Sequence, residues 1–436
     1  MKELWKELNQ NRGCLILLLL LLWPLISTGC LKTAKVSPSK GQGQSAAPLS
    51  SPVLFLAQAQ FRTERQPNGE TRSIPGAAKL TLVRKIKDRW ESSVLEDPES
   101  NVFHKALWFT PPGGQQAGIL TIAGNAAALK LWHQDKNGKW KGTTLWKPTF
   151  GGEQNRLRDI EVGDVTGDGV DDLVVATHDQ GIVAVLQWKP TGWEVTELDR
   201  TPNTFVHEIE IGDLDQDGKN EFFATPSAPN RLDGTPQPGK IVMYRFDGQQ
   251  FIHHTIEEFP NRHVKEILLA DVNGSGYPDL FAAVEGEMAT VSDQPKLIDT
   301  AKIKQYRMVD GQLIGQIIAD LPDMLCRYLT CGDVDGDGSP DIVASTMQSG
   351  IWLLRQKKGE QGRWEKSLID SQSSGFEHAT LIADLDHDGQ SEIYVASDDQ
   401  HFLRRYQWSE EHFQRDELIR LQADDITFGL TLGQIP

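Results

Sequence analysis

Five segments of the sequence place oxygen-bearing side chains at the first, third, fifth and ninth positions of a nine-residue run, with glycine at the sixth. The first holds Asp164, Thr166, Asp168, Gly169 and Asp172, and the second Asp213, Asp215, Asp217, Gly218 and Glu221. The third holds Asp271, Asn273, Ser275, Gly276 and Asp279. The fourth holds Asp333, Asp335, Asp337, Gly338 and Asp341, and the fifth Asp384, Asp386, Asp388, Gly389 and Glu392. Hard cations such as calcium take roughly six to eight oxygen ligands. A tight loop brings alternate side chains onto one point, and a glycine at positive φ lets a backbone carbonyl join them. An EF-hand would also need a carboxylate at position twelve and flanking helices. Position twelve is instead Val175, Ala224, Ala282, Ala344 or Val395, and the flanks are β-rich, so that reading fails. Metal-free Asp-Gly turns are the bland alternative for one such loop, and five of one spacing argue against it. The third loop, with Asn273 and Ser275, carries the fewest charges and is expected to bind most weakly. Eighteen of the 61 acidic residues lie in these loops, so the net charge of −17 is largely metal-site acidity.

A second set of residues could recognise an anion. Six positions before the first loop aspartate stand Arg158, His207, Lys265, Arg327 and His378, and a sixth aligned unit adds His104. The seventh unit has Phe428 there. Lys, Arg and His make up only about an eighth of the chain, so the column stands out from composition. Converging cations would favour a carboxylate sugar, a phosphate or an acidic protein segment. Each cation could instead pair with an acid one residue along, such as Asp159, Glu208 or Glu266. Zinc binding by His104, His207 and His378 is a third reading, although the three lack any short-range ligand spacing. The sequence contains no His-Glu-x-x-His, no Gly-x-Ser-x-Gly and no phosphate-binding loop.

The elements that must position these groups are short strands. Each acidic loop follows an apolar run (Ile160–Val162, Ile209–Ile211, Ile267–Leu269) and precedes another, and a hairpin comes next. In the last strand an aromatic residue is followed five later by an aliphatic one, as in Trp140/Leu145, Trp193/Leu198, Trp364/Ile369 and Phe413/Leu418. The loops recur roughly 50–60 residues apart, the signature of a repeat architecture. Four strands per repeat make a propeller blade. Residues 102–148 keep the spacing, but Thr110–Gly118 has no carboxylate, so this blade is expected to be calcium-free. A seventh blade is split: the hairpin Lys79–Glu96 has no inner strand before it, and Ile426–Gly433 is an inner strand with no hairpin after it. Pairing the chain ends would close the ring and remove exposed sheet edges. The expected fold is an all-β, seven-bladed β-propeller over residues 53–436, with calcium loops between first and second strands. The inner column would then line the channel mouth opposite the calcium loops. The connections Pro226–Gly239 and Glu285–Pro295 also reach that mouth, adding Asn230, Arg231, Asp233, Glu285 and Glu287.

The acidic loops, with the Gly-Asp or Ala-Asp step before them, resemble the FG-GAP/VCBS repeats of integrin α-type propellers over roughly residues 101–433. The resemblance implies that the loop Asp, Asn, Ser, Thr and Glu residues are calcium ligands on one face. The functions it implies are diverse: adhesion, ligand binding and, in some members, polysaccharide cleavage.

The net charge argues against nucleic acid as a partner. Lys2, Lys6 and Arg12 precede an apolar run from Cys14 to Ile26, and Ser27, Thr28, Gly29 and Cys30 follow. Residues 1–30 thus read as a secretory signal. The site is similar to a bacterial lipoprotein cleavage site, with Cys30 as the lipidated residue. An uncleaved anchor and simple secretion are the alternatives. Residues 31–52, rich in Ser, Pro, Gly and Ala, read as a flexible tether. Cys326 and Cys331, five apart on one strand, point to opposite faces and form no disulfide. The whole is expected to be a calcium-stabilised extracytoplasmic module of a bacterial cell envelope, meeting its membrane only through the lipid anchor. It would bind a protein or an anionic carbohydrate. The alternative is a uronate polysaccharide lyase, in which Arg or Lys neutralises the carboxylate and His or Lys takes the proton.

Overall fold

The computed structural model of the chain describes residues 52–65, 71–152, 155–229, 235–357 and 362–435. The stretches read above as a signal, with Cys30, and as a tether up to residue 51, together with Asn230, Arg231 and Asp233, lie outside the described residues. Within them there is no helix. β-Branched and aromatic runs punctuated by Asp-Gly turns give seven four-stranded antiparallel sheets arranged as a propeller.

Blade 1 comprises Phe103–Phe109, Gly118–Ala123, Leu129–Gln134 and Trp140–Trp146. Blades 2 to 6 begin with the inner strands Leu157–Gly163, Phe205–Gly212, Val264–Ala270, Cys326–Gly332 and Thr380–Ala383. Each then steps outward in sequence order. Blade 7 draws its inner strand, Asp425–Gln434, from one end of the chain, and Pro52–Arg65, Thr71–Ile86 and Arg89–Asp97 from the other. Pro52 lies opposite Gln434 and Leu56 opposite Leu430 in this antiparallel pair. The connection after Glu285 is not an open loop but carries a further hairpin, Glu287–Val291 with Gln294–Asp299.

The core is the set of contacts between facing blades. Leu120 and Leu129 of blade 1 pack with Leu173 and Leu186 of blade 2. Val343 and Leu353 of blade 5 meet Ile393 and Tyr406 of blade 6. Blade 7 takes part on both sides: Leu54 and Val83 meet Tyr394 and Leu403, while Phe55 and Leu80 meet Phe103 and Ile119. Second strands such as Asp172–Thr177 and Glu392–Ser397 are buried along their whole length, because both faces are covered by neighbours. The glycine before the first and fourth loop aspartates has a packing cause. A Cβ on Gly163 would lie 3.1 Å from Ile211 of the next blade, and one on Gly332 only 2.6 Å from Ile382. Inner strands crowd there as they converge. Cys326 and Cys331 are both free.

Candidate functional site

In each acidic loop the first aspartate gathers backbone N–H groups. Asp213 accepts from Asp217 at 3.1 Å and from Gly218 at 3.0 Å, and Asp164, Asp271, Asp333 and Asp384 likewise accept from the glycine five residues on. The glycines at the sixth position have φ between 82° and 93°. Space is open around them, so it is the left-handed backbone that calls for glycine. The fourth position is also left-handed, at Gly167, Gln216, Gly274, Gly336 and His387. The ninth-position acid is buried in every loop. Burial pushes Asp172 up to about 6 and Glu221 and Asp341 up to about 7, the behaviour of carboxylates set where a positive charge belongs.

Ligand oxygens of Asp213, Asp215, Asp217 and Glu221 lie within 4.8 Å of one another, as do those of Asp333, Asp335 and Asp337, and those of Asp384, Asp386 and Glu392. Converged, hard and partly buried oxygens fit a calcium-like cation in these three loops. The first loop is held differently: Thr166 donates its hydroxyl to Asp172 at 3.2 Å. The third fits least well. Gln305 donates to Asp279 at 2.7 Å, and Arg307 donates through two nitrogens at 3.2 Å each, so the ninth-position charge is already neutralised. Ser275 turns its hydroxyl to the Tyr277 carbonyl.

The cationic column falls on a structural feature. In six inner strands the register slips at this position, leaving His104, Arg158, His207 with Glu208, Lys265, Arg327 and Phe428 as extra residues of a β-bulge. A bulge re-aims its side chain, here toward the axis. The residues do come together, but inside the channel: His104, Arg158, His207 and His378 are 0% exposed, and Lys265 and Arg327 3%. The open cationic rim anticipated from sequence is replaced by a buried cluster in which acids accompany the bases.

Inner strands turn one unpaired edge to the channel, and neighbouring side chains satisfy it. Asp159 accepts the Ile209 N–H at 2.8 Å, Glu266 that of Leu329 at 2.8 Å, and His104 meets the Leu157 carbonyl at 2.6 Å. His378 bridges the Thr346 carbonyl and Ser373 hydroxyl, each at 2.7 Å. Lys105 is wedged against Asp159 at 2.9 Å and against Glu161. Burial alone would lower its pKa, but Asp159, Glu161 and Glu208 outweigh that and hold it charged.

The remaining cations gather near Glu285, which lies 3.3 Å from Arg327, 3.5 Å from Lys265 and 3.4 Å from His263. Burial pushes the Glu285 carboxyl up, but Arg327 and Lys265, with a hydrogen bond from His263, hold it well below the usual range. Burial lowers Lys265 to about 7 and raises Glu377 to about 8. Arg158 contacts His207 Nδ1 at 3.1 Å. Its Nη1, Arg327 Nε and Nη1, and both ring nitrogens of His178 are buried without a hydrogen-bond partner. His104 and His207 approach each other through His178, at ring separations of 6.4 and 5.1 Å, while His378 is held apart by Ser373. Among the described residues no group of histidines brings ligand nitrogens within 4.8 Å, so the zinc reading finds no site.

Glu287 points away from the axis to Arg262 and Asn261. His178, Glu377 and His263 escaped the sequence reading. His178 and Glu285 each directly follow a second strand, as does Asp398, which accepts from the Thr427 backbone at 2.6 Å. That column would have revealed His178; His263 and Glu377 instead stand just before the inner strands Val264–Ala270 and Thr380–Ala383.

Sheets, loops and axis together define the class: a seven-bladed β-propeller with acidic turns on one face. A family model described as FG-GAP-like repeat matches residues 164–224 and 333–395, which contain four of the five loops, so the chain carries FG-GAP-like repeats. No curated protein matches the sequence. Among solved structures, a Bacteroides fragilis protein described as a candidate 6-phosphogluconolactonase aligns with a TM-score of 0.53 and 12% identity. The alignment covers 89% of this chain and 99% of that one, a likeness of fold alone.

Proposed function

We propose that the chain is a calcium-stabilised, extracytoplasmic binding or scaffolding module, anchored at a bacterial cell envelope through Cys30. The observation that carries the metal role is the convergence of at least three carboxylates within 4.8 Å in each of three loops, two of them with a buried ninth-position acid in the group. Bound calcium would supply charge compensation and pin each turn; the loop side chains supply the oxygens and the first aspartate fixes the backbone.

The ligand reading is a small anion or an acidic protein segment at the axial end of the cationic column. Two buried guanidiniums, Arg158 and Arg327, with N–H groups lacking acceptors, support it, since such donors favour an oxyanion. The lyase alternative draws on Lys265, whose pKa near neutrality suits a base. The burial of the whole column weighs against it, and favours a small anion over an acidic protein segment, because a polymer of either kind has no exposed cation to meet.

Calcium is tested by melting the purified chain with and without excess chelator, alongside elemental analysis. Each site filled at about a hundred times its Kd contributes about 2.7 kcal/mol, so chelation should lower Tm by about 10 °C or more. Equal melting and no bound metal would end this reading. For the anion, titration calorimetry with phosphate and galacturonate should give heat that Arg158→Ala and Arg327→Ala remove. Unsaturated product from a uronate polymer would favour the lyase instead.

A further inference from the structure

The face that carries the acidic loops is divided in charge. Blades 2 to 6 place those loops on it, and blade 6 adds Glu410 and Glu411 between its outer strands Phe402–Ser409 and His412–Arg420. Blades 7 and 1, which pack on one another, contribute no acidic loop: residues 110–118 hold no carboxylate, and blade 7 has the two chain ends in its place. We infer that the outer hairpin tips of blades 7 and 1 form a docking surface for an anionic phospholipid membrane. The choice of a membrane as partner rests on the anchored reading proposed for Cys30.

Both tips are basic. In blade 7, residues 84–91 carry Arg84, Lys85, Lys87 and Arg89 against Asp88 and Glu91, in a protein whose net charge is −17. In blade 1, Lys136, Lys139 and Lys141 stand against Asp135. All seven cations are exposed. Of the seven, Lys141 alone forms a salt bridge among the described residues, to Asp135 at 3.8 Å. Elsewhere the hairpin arginines are engaged by the acidic loop beside them. Arg245 meets Asp215 at 3.8 Å, Arg355 meets Asp335 at 2.7 Å and Arg405 meets Asp386 at 3.3 Å. With no such loop beside them, the tips of blades 7 and 1 leave their charge free to meet an outside anion.

The point where the chain enters the ring favours a lipid surface over a soluble anion. Pro52 lies opposite Gln434 and Leu54 opposite Val83, so the first described strand begins at the same edge as the basic tip joining Thr71–Ile86 to Arg89–Asp97. The segment between Cys30 and that edge, residues 31–51, contains three lysines and no acid. A lipid on Cys30 would bring this edge of the ring toward the bilayer, where basic residues add attraction to anionic headgroups. The acidic sector of blades 2 to 6 then tilts away, and the axial mouth, on the opposite face, is turned from the lipid.

The test uses the full chain with vesicles of phosphatidylglycerol or phosphatidylcholine, with amine acetylation read by peptide mass spectrometry. Flotation with both lipids reports the anchor. Acetylation of Lys85, Lys87, Lys136 and Lys139 should slow about tenfold with phosphatidylglycerol alone. Lys219, exposed in the second acidic loop, should react equally with both. Each cation held at an anionic surface favours docking about fivefold, so Lys85→Glu combined with Lys87→Glu should weaken it about 25-fold or more and restore acetylation at Lys136 and Lys139. Both positions are exposed, and a native melting temperature controls for folding. Equal acetylation in both lipids by a chain that floats overturns the inference and leaves the anchor. Flotation with phosphatidylglycerol alone, with the four lysines protected, removes the anchor and leaves the docking surface. Protection that persists after the double substitution, or a chain that floats with neither lipid, overturns it as well.

Discussion

At the residue scale, the axis concentrates charge where water is scarce, and its arrangement follows from unpaired strand edges. Asp159 and Glu266 cap N–H groups of the next blade, and Lys105 compensates the acids around it. Glu377 differs in having its carboxyl raised to about 8 by burial, against Arg327 and Arg158, which favour its ionised form. A carboxyl whose folded pKa exceeds its unfolded value contributes stability fully present at low pH and lost as pH rises through the folded pKa. Glu377 should therefore make the protein progressively less stable between about pH 4.5 and pH 8. Glu377→Gln should flatten that slope, read as urea midpoints across the range; an unchanged slope would assign the pH dependence elsewhere. The cationic column itself was legible in the sequence by spacing from the loop aspartate. Its burial was not, because spacing does not disclose that five of the six positions are bulges turned inward.

At the element scale, the five loops look alike in sequence yet separate in structure. The third was singled out for its Asn273 and Ser275, and the stronger reason lies outside the loop, in Gln305 and Arg307 on the third strand Ala301–Val309. A guanidinium there is not peculiar to the third loop, since Arg355 lies 2.7 Å from Asp335 and 3.7 Å from Asp341; what sets the third apart is that Gln305 and Arg307 together hydrogen-bond Asp279, which no reading of the nine loop residues could reveal. Native mass spectrometry should show that Asp279→Ala leaves the number of bound calcium ions unchanged, while Asp333→Ala lowers it by one. Loss of an ion from Asp279→Ala would mean that Arg307 yields to the metal. The Gly-Asp step was likewise visible in the sequence without its cause, which is the approach of Ile211 and Ile382 from adjacent blades.

At the scale of the whole molecule, the ring has no free flank among the described blades: each packs on the next, blade 7 included. The seven-blade count was readable because loop, strand and hairpin repeat with one period. The role of Pro52–Arg65 as the second strand of blade 7 was not assigned, since no acidic loop precedes it to mark the register. Ending the chain before Asp425 would strip blade 7 of its inner strand, expose Leu54 and Leu56, and remove the Phe428 carbonyl that the Tyr328 hydroxyl donates to across the channel. The loss should reach about 5 kcal/mol or more, enough to leave little folded protein. Size-exclusion chromatography and circular dichroism would register aggregation or unfolding; a monomer of unaltered melting temperature would contradict the packing account. The same split blade governs biosynthesis. Translation delivers the partner of Pro52–Arg65 only after the other six blades, so they must wait with a sticky edge open until Asp425–Gln434 emerges. Any delay there would leave the nascent protein most vulnerable to proteases and to mispairing with a second chain.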